Sequence, residues 1–311
     1  MDWFQNKKVI ITGGSSGIGM AAAQWLAEWG ADICIVARNG RRLKQACEEI
    51  RMKAGSQEQK ILYHVLDVCD RRKVFRCSGD IIDSLGGLDI LINNAGKAWP
   101  GYIQHKPDSV WDDTLDINFN GTVHCTRAFL PHFIHQKSGN IANVTSLLGF
   151  MGLFGYSAYA ASKFAVVGFS ESLRQDLLPY NIKISVFYPP DTDTPLWHAE
   201  NKIKPPETKA LSGNVKVMPP GKVAYSLLRG IARGKFTIIP GTLSKWIYGM
   251  HRFTPALFRW LLDQELKKQL KKSKISGVHT KDIGPPSHSK VHEEGVSSEK
   301  IESPLEVESI P

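Results

Sequence analysis

The sequence has few cysteines and no cysteine motif. All five stand apart, and no two of them form a Cys-x-x-Cys pair. This absence excludes a zinc ribbon and a disulfide framework, and it favours a reducing compartment. The five residues are Cys34, Cys47, Cys69, Cys77 and Cys125.

Three other features are also missing. No long apolar run precedes the first strand-like segment at Val9, so we expect neither a signal peptide nor an N-terminal membrane anchor. His132 and His135 lie three positions apart on a predicted helix, but no third ligand accompanies them, so we expect no metal site. No internal repeat or second apolar core is evident, which favours one large domain.

The charge is spread unevenly along the chain. The 311 residues include 39 Lys and Arg against 30 Asp and Glu, a net charge of +9. Residues 241–275 hold eight basic and two acidic side chains, and therefore two-thirds of that excess. Such a patch indicates contact with a membrane or a nucleic acid, or simply a solvated helix end. Because no nucleic-acid recognition module accompanies it, we expect no nucleic-acid partner.

Seven short apolar runs alternate with longer segments of helical periodicity up to about residue 240. This alternation predicts a parallel sheet with helices on both faces. Because the runs are continuous, we expect both faces of each strand to be buried. The fold class is therefore α/β, a doubly wound parallel sheet of about seven strands (Rossmann fold). The runs are Val9–Thr12, Ile33–Ala37, Ile61–Leu66, Leu88–Ile92, Ile141–Val144, Ile182–Phe187 and Phe236–Ile239, and clear helical segments are Met20–Trp29 and Trp111–Ile134.

The sequence changes character twice after this domain. Residues 1–240 are expected to form the α/β domain, and residues 241–272 an aromatic-rich, amphipathic helical segment. From 273 to 311, Ser, Lys, Glu and Pro dominate without apolar periodicity, which predicts a disordered tail.

A glycine-rich turn follows the first strand and begins the first long helix. Glycine lets the backbone turn tightly and approach a pyrophosphate, which then lies at the positive end of the helix. Within a β-α-β unit such a turn predicts a dinucleotide site. The residues expected to bind are Gly13, Ser15, Ser16, Gly17, Ile18 and Gly19.

The end of the second strand indicates which dinucleotide binds. An NAD site usually places an acidic residue there to bind the ribose 2′-hydroxyl. Here the strand ends with Ala37 and Arg38, and Arg41 and Arg42 follow. Arginines that merely begin a surface helix would explain Arg41 but not the missing acid. Because a guanidinium binds a 2′-phosphate bidentately, we expect NADPH, held by Arg38 and Arg42.

Further motifs follow in a fixed order. The fourth strand ends in Asn-Asn-Ala-Gly at Asn93–Gly96, and Asn118 lies in the next helical segment. Ser146 precedes Tyr159 by thirteen positions, and Lys163 follows Tyr159 by four. With the glycine-rich turn, these residues resemble the short-chain dehydrogenase/reductase family over residues 7–240. The resemblance implies a metal-free oxidoreductase with a nicotinamide cofactor.

The spacing of Tyr159 and Lys163 fits acid–base chemistry. One helical turn separates them, so both face the same side, and the ammonium is expected to lower the pKa of the tyrosine. Tyr159 then donates a proton to the substrate oxygen, which Ser146 holds by a hydrogen bond. Tyr156 has no lysine partner four positions on, so we expect it to form the pocket wall.

The family resemblance assigns further roles. It implies that Lys163 binds the nicotinamide ribose, that Asn118 holds a water relaying protons to Lys163, and that Tyr159 and Asn94 contact the cofactor. It also implies that Asp67, at the end of the third strand, bonds the adenine amino group. A cap on the next helix is an alternative interpretation of Asp67.

The loop after the sixth strand narrows the resemblance. It reads Tyr-Pro-Pro-Asp-Thr-Asp-Thr-Pro over Tyr188–Pro195, where the family usually has Pro-Gly. The second proline stiffens the loop, and Pro189 is expected to contact the cofactor. Thr192 and Thr194 are expected to bond the nicotinamide carboxamide.

Together with residues 152–165 and 200–208, this loop resembles the 3-ketodihydrosphingosine (3-dehydrosphinganine) reductases. That resemblance implies NADPH-dependent reduction of a long-chain lipid ketone, 3-ketodihydrosphingosine, to sphinganine in sphingolipid biosynthesis. The alternatives are a reductase of another lipophilic ketone (a steroid or a 3-oxoacyl chain) and an inactive, cofactor-sensing scaffold. A scaffold usually loses the tyrosine or the lysine, and both are present. Eukaryotic members commonly begin with a hydrophobic anchor, which this sequence does not show.

Residues 243–262 are long enough to span a bilayer, but they carry Lys245, Arg252 and Arg259, which are costly at its centre. These three recur every seven positions and would share one helical face, which predicts a helix in a membrane interface, bent at Pro255. The apolar side would hold Trp246, Met250, Phe253, Leu257 and Leu261.

A helix that packs on the substrate cleft, or on a second copy of the chain in a homo-oligomer, is the alternative. From the interfacial interpretation we expect peripheral membrane contact through residues 243–275. The protein would then work on the cytoplasmic side of a membrane, that of the endoplasmic reticulum in a eukaryote.

Overall fold

Seven parallel strands form one sheet in the computed structural model, which describes residues 2–213 and 216–275, with side chains to Lys272. The strand order is β3-β2-β1-β4-β5-β6-β7, so the winding reverses between β1 and β4. The doubly wound sheet and all seven predicted strands are confirmed. The strands are β1 (Lys8–Thr12), β2 (Asp32–Ala37), β3 (Ile61–Val65), β4 (Ile90–Asn93), β5 (Gly139–Val144), β6 (Ile182–Phe187) and β7 (Thr237–Ile238).

Helices cover both faces of this sheet. Within the described residues they are α1 (Gly17–Glu28), α2 (Gly40–Arg51), α3 (Arg71–Leu85), α4 (Asp108–Leu115), α5 (Gly121–Gln136), α6 (Ser157–Asp176), α7 (Pro195–Ile203), α8 (Pro206–Ser212), α9 (Pro220–Ala232), α10 (Thr242–Phe253) and α11 (Pro255–Ile275). Helices α1, α2 and α9 bury side chains such as Leu26 and Leu227 on one face. Helices α3, α5 and α6 bury Ile81, Phe129 and Leu173 on the other.

Strand β3 departs from the expectation that both strand faces are buried. It lies at the sheet edge and alternates buried and exposed positions. Tyr63 and Val65 are each 41% exposed. An edge strand has only one neighbour, and here its outward-facing side chains remain in solvent.

The helix predicted over Trp111–Ile134 is interrupted. Helix α4 ends at Leu115, a π-helical turn occupies Asp116–Asn120, and α5 begins at Gly121. A Cβ at position 121 would lie 2.6 Å from the Val68 Cγ2 atom, so glycine permits this close approach. The turn places Asn118, which is fully buried, beside the carboxyl ends of the strands. Turns of this type are frequent at functional sites.

The carboxyl ends of the central strands are held together by side chains. The Asn93 Nδ2 atom donates to the Asn143 Oδ1 atom at 2.9 Å and to the Thr126 Oγ1 atom at 3.0 Å. The Asn94 backbone amide donates to the Thr12 Oγ1 atom at 3.0 Å. These bonds fix the crevice where the winding reverses, the usual ligand position in such folds.

The C-terminal segment forms two helices rather than one bent helix. Thr254 has non-helical backbone angles and ends α10, and Pro255 begins α11 because proline is favoured at the first helical position. Lys245 and Arg252 therefore lie on α10 and Arg259 on α11, so the three do not belong to one continuous helix. No helix among the described residues is both long and apolar enough to cross a bilayer. The tail predicted for 273–311 lies outside the described side chains, and 276–311 outside the described backbone.

Helix α10 packs on the α/β domain through aromatic rings. The Tyr248 ring lies 5.0 Å from Phe150 and 6.0 Å from Tyr188, between ring centroids. His251 contacts both Phe150 and the buried Phe258 of α11, at 5.5 and 5.3 Å. The two helices are thereby attached beside the carboxyl end of the sheet.

Candidate active site

A groove of about 330 Å³ follows the carboxyl edge of the sheet beside α1, and it is here called the cofactor groove. The predicted cofactor residues that line it are Gly13, Ser15, Ser16, Gly17, Ile18, Arg38, Arg42, Asp67, Asn94 and Thr194. Gly19 lies behind it in the first turn of α1, where a Cβ would be 2.6 Å from the Gly13 carbonyl oxygen. Gly19 therefore serves close packing of the turn rather than lining the groove.

The backbone of the glycine-rich turn fits a dinucleotide. Gly17 has a positive φ of 57°, which favours glycine. A Cβ at Gly13 would lie 2.9 Å from the Ala95 Cα atom, so the turn closes tightly against the chain after β4. Ser16 forms no side-chain cap on α1 within the described residues. The first amides of α1 are thus available to a pyrophosphate, as helix N-termini of this kind provide.

The end of β2 presents guanidinium groups to the groove. Arg38 and Arg42 both line it, next to Ala37. The Arg38 Nη1 atom lies 3.6 Å from the Asp67 Oδ2 atom, in a partly exposed ion pair. Arg41 is exposed and does not line the groove. The carboxylate at the groove is therefore Asp67, which follows β3, whereas the charged residues at the end of β2 that line the groove are both arginines.

The structure decides one alternative for Asp67. Helix α3 is capped by Asp70, whose Oδ1 atom accepts from the Lys73 backbone amide at 3.0 Å. The interpretation of Asp67 as the helix cap is therefore wrong. The Asp67 Oδ1 atom accepts from the Cys69 amide at 3.0 Å, and the side chain faces the cofactor groove.

Tyr159 and Lys163 lie on one face of α6, and Ser146 approaches them from the end of β5. The Lys163 Nζ atom is 5.6 Å from the centroid of the Tyr159 ring. It donates to the Val144 carbonyl oxygen at 3.1 Å and is only 3% exposed. The Ser146 hydroxyl hydrogen-bonds to the Tyr159 phenol. The three predicted groups are thus brought together.

The electrostatics of this group differ from the expectation in one respect. Burial raises the pKa of Tyr159, Glu200 raises it further, and the hydrogen bond from Ser146 opposes them. The predicted lowering of this pKa is therefore wrong for the chain, because desolvation of the phenolate dominates. Burial also lowers the pKa of Lys163 to about 8, against the opposing effect of Glu200. Tyr159 consequently keeps its proton at neutral pH, as a proton donor must.

Asn118 is saturated with hydrogen bonds to the protein. Its Oδ1 atom accepts from the Lys97 amide at 2.8 Å, and its Nδ2 atom donates to the Lys97 carbonyl and the Ser162 Oγ atom, each at 2.9 Å. The side chain therefore braces α6 against the chain after β4. The water-relay role implied by the family resemblance stays a prediction.

A second cavity, of about 450 Å³, opens at Ser146 and Tyr159 and is here called the apolar cavity. Leu148, Met151 and Leu153 form one wall. Ile18, Thr194 and Leu196 line both this cavity and the cofactor groove, so the two regions share one wall. Helices α10 and α11 contribute Leu243, Trp246, Ile247, Met250, Phe258, Leu261 and Leu262.

Several apolar side chains of α10 and α11 remain exposed. Phe253 is 82%, Trp260 55% and Leu257 50% exposed, and Trp246, although it lines the cavity, is 62% exposed. Packing on the cleft, the alternative interpretation of this segment, is confirmed for the side chains that line the apolar cavity. The interfacial interpretation concerns the exposed side chains and stays a prediction.

The loop after β6 forms the remaining wall. Pro189, Thr192 and Thr194 all line the apolar cavity. The Thr192 Oγ1 atom donates to the Pro190 carbonyl oxygen at 2.7 Å, and the Thr194 Oγ1 atom accepts from the Trp197 amide at 3.2 Å, which caps α7. The predicted contacts of both threonines with a carboxamide stay predictions.

The short chain dehydrogenase family matches residues 7–204, more than half of the chain. The chain belongs to this family. As a short-chain dehydrogenase, the protein is an oxidoreductase acting on a carbonyl or alcohol group.

Two relatives are similar to this dehydrogenase over most of its length. The 3-dehydrosphinganine reductase of Danio rerio is 39% identical over 230 residues, covering 74% of this chain and 69% of that protein. The 3-ketodihydrosphingosine reductase of Bos taurus is 38% identical over 229 residues, covering 73% and 69%. The crystal structure of a short chain dehydrogenase/reductase from Burkholderia phymatum in complex with NAD aligns with a TM-score of 0.68, over 77% of this chain and 90% of that one. Its 23% identity shows the fold alone.

Two charged residues of the dehydrogenase's apolar cavity were missed by the sequence reasoning. Glu200 and Lys204 both line it, and Lys204 is only 5% exposed. Trp197, Glu200 and Lys204 are separated by three and four positions, so they share one helical face directly after the loop Tyr188–Pro195. That spacing was the available signal. Tyr156, predicted as pocket wall, is buried in the cavity wall, and this prediction is confirmed.

Proposed function

We propose that this enzyme uses NADPH to reduce the 3-keto group of 3-ketodihydrosphingosine to sphinganine. The observation that carries the proposal is the apolar cavity, which is lined by Ser146 and Tyr159 and shares a wall with the cofactor groove. A cavity of about 450 Å³ with leucine, methionine and aromatic walls suits an alkyl chain. Both relatives described above are named as reductases of this ketone, which supports the same substrate.

NADPH is the cofactor that the charges favour. A nicotinamide cofactor accords with the family, and the glycine-rich turn fits its pyrophosphate. Arg38 and Arg42 would hold the 2′-phosphate, and Ala37 stands where an acidic residue would repel it. Asp67, paired with Arg38, would orient that guanidinium and remain within reach of the adenine.

The residues around the ketone have distinct tasks. A bound nicotinamide supplies the hydride. Ser146 holds the ketone oxygen by a hydrogen bond, and Tyr159 transfers its phenolic proton to that oxygen. The Lys163 ammonium, protonated below about pH 8, stabilises the phenolate left behind.

The same apolar walls would hold another lipophilic ketone, such as a steroid or a 3-oxoacyl chain. NADPH oxidation should therefore be measured with 3-ketodihydrosphingosine, a steroid ketone and a 3-oxoacyl ester side by side. We expect turnover with the first and much slower turnover with the others. Equal or faster turnover of a steroid or 3-oxoacyl substrate would replace the proposed substrate.

We further propose that the exposed side of α10 and α11 contacts the cytoplasmic surface of an anionic membrane. The exposed Trp246, Phe253 and Trp260 each directly follow an exposed basic residue, Lys245, Arg252 and Arg259, so exposed apolar and basic side chains are neighbours along both helices. Each basic residue near an anionic surface contributes about 1 kcal/mol, and buried apolar groups add to it. A lipid ketone would then enter the apolar cavity directly from the bilayer.

Vesicle sedimentation tests this contact. Wild-type protein should sediment with phosphatidylserine-containing vesicles at low salt, and less so at high salt because the charges are screened. Arg252→Glu with Arg259→Glu should abolish binding, and Phe253→Ser with Trp260→Ser should weaken it. Arg72→Glu with Arg76→Glu, an equal charge change on exposed α3 positions, is the control. Equal loss in the control, or no binding by the wild type, would reject the contact.

A further inference from the structure

Two carboxylates, Asp191 and Glu200, lie in the wall of the otherwise largely apolar cavity, and Glu200 is the one bonded to a tyrosine beside Tyr159. Glu200, on α7, faces this cavity, and its Oε2 atom accepts a hydrogen bond from the Tyr156 hydroxyl at 2.7 Å. Burial raises the pKa of Glu200, whereas Tyr156 and the nearby cations lower it. Removing a carboxylate from water is costly unless a partner compensates it. The Glu200 carboxylate therefore needs a partner inside the cavity.

The protein itself supplies that partner only in part. Among the described residues, Glu200 has the hydrogen bond from Tyr156 and no ion pair within 4 Å. The charged groups that act on it are Lys204, Lys163 and a second carboxylate, Asp191. No group in direct contact neutralises Glu200 in the described part of the chain, so its carboxylate is available to a cation in the cavity.

Lys204 shows that this end of the cavity is built for polar contacts. It is 95% buried, and its Nζ atom lies 5.8 Å from the Tyr156 ring centroid and 5.9 Å from that of Trp197. Within the described part of the chain it has no hydrogen-bond partner. A buried ammonium that faces a cavity is free to donate to a ligand hydroxyl or carbonyl. Glu200 and Lys204 thus offer an acceptor and a donor to one polar head group.

The acidic group is close to the reacting atoms. Tyr156, which bonds Glu200, has its ring centroid 5.8 Å from that of Tyr159. Glu200 acts electrostatically on both Tyr159 and Lys163. A ligand cation paired with Glu200 would therefore lie within a few bonds of a ketone held at Tyr159.

We propose that Glu200 binds an ammonium group on the carbon next to the ketone and thereby selects long-chain α-amino ketones over long-chain ketones without an amine. This inference rests on the proposed function, which places the ketone at Tyr159. 3-Ketodihydrosphingosine carries such an amine, whereas steroid ketones and 3-oxoacyl chains do not. The polar head would be held by Glu200 and Lys204, and the alkyl chain by the apolar walls.

The bound ammonium would also assist the reaction. Glu200 disfavours the phenolate that forms when Tyr159 gives up its proton. A cation paired with Glu200 offsets that effect. The substrate's own amine thus makes proton donation by Tyr159 easier, and an amine-free ketone lacks this benefit. Both binding and turnover should respond to the amine.

The test compares 3-ketodihydrosphingosine with 1-hydroxyoctadecan-3-one, which lacks only the amine. Wild-type kcat/KM should be higher for the amino ketone by about tenfold to a hundredfold, the usual effect of a hydrogen bond to a charged group. Glu200→Gln, which can still accept from Tyr156, should reduce this ratio to near one, because KM for the amino ketone rises while the amine-free ketone gains from the easier loss of the Tyr159 proton. Glu171→Gln, an exposed carboxylate on α6 away from the cavity, should leave the ratio unchanged.

The outcomes separate this inference from the proposed function. A wild-type ratio near one, or an unchanged ratio in Glu200→Gln, overturns the role of Glu200 while leaving ketone reduction intact. If NADPH is oxidised with neither ketone, the proposed function itself fails. Should the variant fold poorly, wild-type inhibition by sphinganine and by octadecane-1,3-diol decides instead. Stronger inhibition by sphinganine, by about tenfold or more, supports the ammonium site, and equal inhibition rejects it.

Discussion

The cofactor groove and the apolar cavity share a wall but are built in different ways. The groove is made mostly of short stretches that directly follow β1, β2, β3 and β4. The cavity takes its walls from the turn after β5, the loop after β6, α7, α10 and α11, which are separated by up to more than a hundred residues along the chain. Local motifs thus determine the groove, whereas packing between distant segments determines the cavity. Substitutions should affect cofactor choice and ketone choice separately, except at the residues where the two regions meet.

The largest effect is expected at the proton donor. Tyr159→Phe keeps the ring but removes the transferable proton, so kcat should fall by roughly two to four orders of magnitude. Because Tyr159 does not line the cofactor groove, NADPH affinity, measured by fluorescence titration, should stay close to that of the wild type. Near-normal turnover of the variant would show that another group donates the proton.

A change confined to the groove should alter cofactor choice alone. Ala37→Asp combined with Arg38→Leu replaces a phosphate-binding guanidinium by a carboxylate. The loss of one charge-assisted contact is worth about 1.5–3 kcal/mol, so the NADPH/NADH preference should drop by about tenfold to a hundredfold. Arg41→Leu, at an exposed position outside the groove, is the matched control. Binding of the 2′-phosphate by Arg38 is excluded if the double variant keeps the wild-type preference. It is also excluded if KM for the ketone changes by the same factor as the cofactor preference.

Lys163, beside Tyr159, should make the activity depend on pH. The pKa of Lys163 is about 8, so its ammonium is complete below that pH and is lost above it. We expect kcat/KM for the ketone to fall above about pH 8, by about tenfold per pH unit. Glu200 raises this pKa, so in Glu200→Gln the fall should begin at lower pH. A flat profile to high pH, or a fall that Glu200→Gln does not move, would exclude Lys163 as the titrating group.

The smallest effect is expected in the cavity wall. Leu262→Ala removes three carbons from the wall, and each methylene-sized contact is worth about 0.8 kcal/mol at most when fully buried. Because Leu262 is only partly buried, kcat/KM for a long-chain ketone should fall by about three- to tenfold, and that for a short-chain ketone should hardly change. Leu266→Ala on the same helix, outside the cavity, is the control. An equal loss for both chain lengths would show that the wall does not contact the alkyl chain.

The same comparison explains what could be predicted from the sequence. The seven strands, the glycine-rich turn and the Tyr159–Lys163 pair depend on periodicity and short spacing, and all are where the sequence predicts them. The alternative interpretation of Asp67 as the cap of α3 is wrong, because the helix begins three residues later than that interpretation requires and Asp70 caps it.

Features that depend on several elements at once could not be predicted. The pKa of Tyr159 depends on burial and on Glu200, forty-one positions away. The polar end of the cavity depends on the contact of α7 with Tyr156, which the spacing within α7 alone does not show. Pro255 gave the place of the bend in the C-terminal segment, but not the complete break between α10 and α11.

The shared wall between the two regions has a kinetic consequence. Ile18, Thr194 and Leu196 border the groove on one side and the cavity on the other. A dinucleotide in the groove therefore supports the wall against which the ketone must lie. We expect an ordered sequence in which the cofactor binds first and leaves last. In initial-rate experiments, NADP⁺ should then compete with NADPH, whereas the alcohol product should inhibit noncompetitively against it.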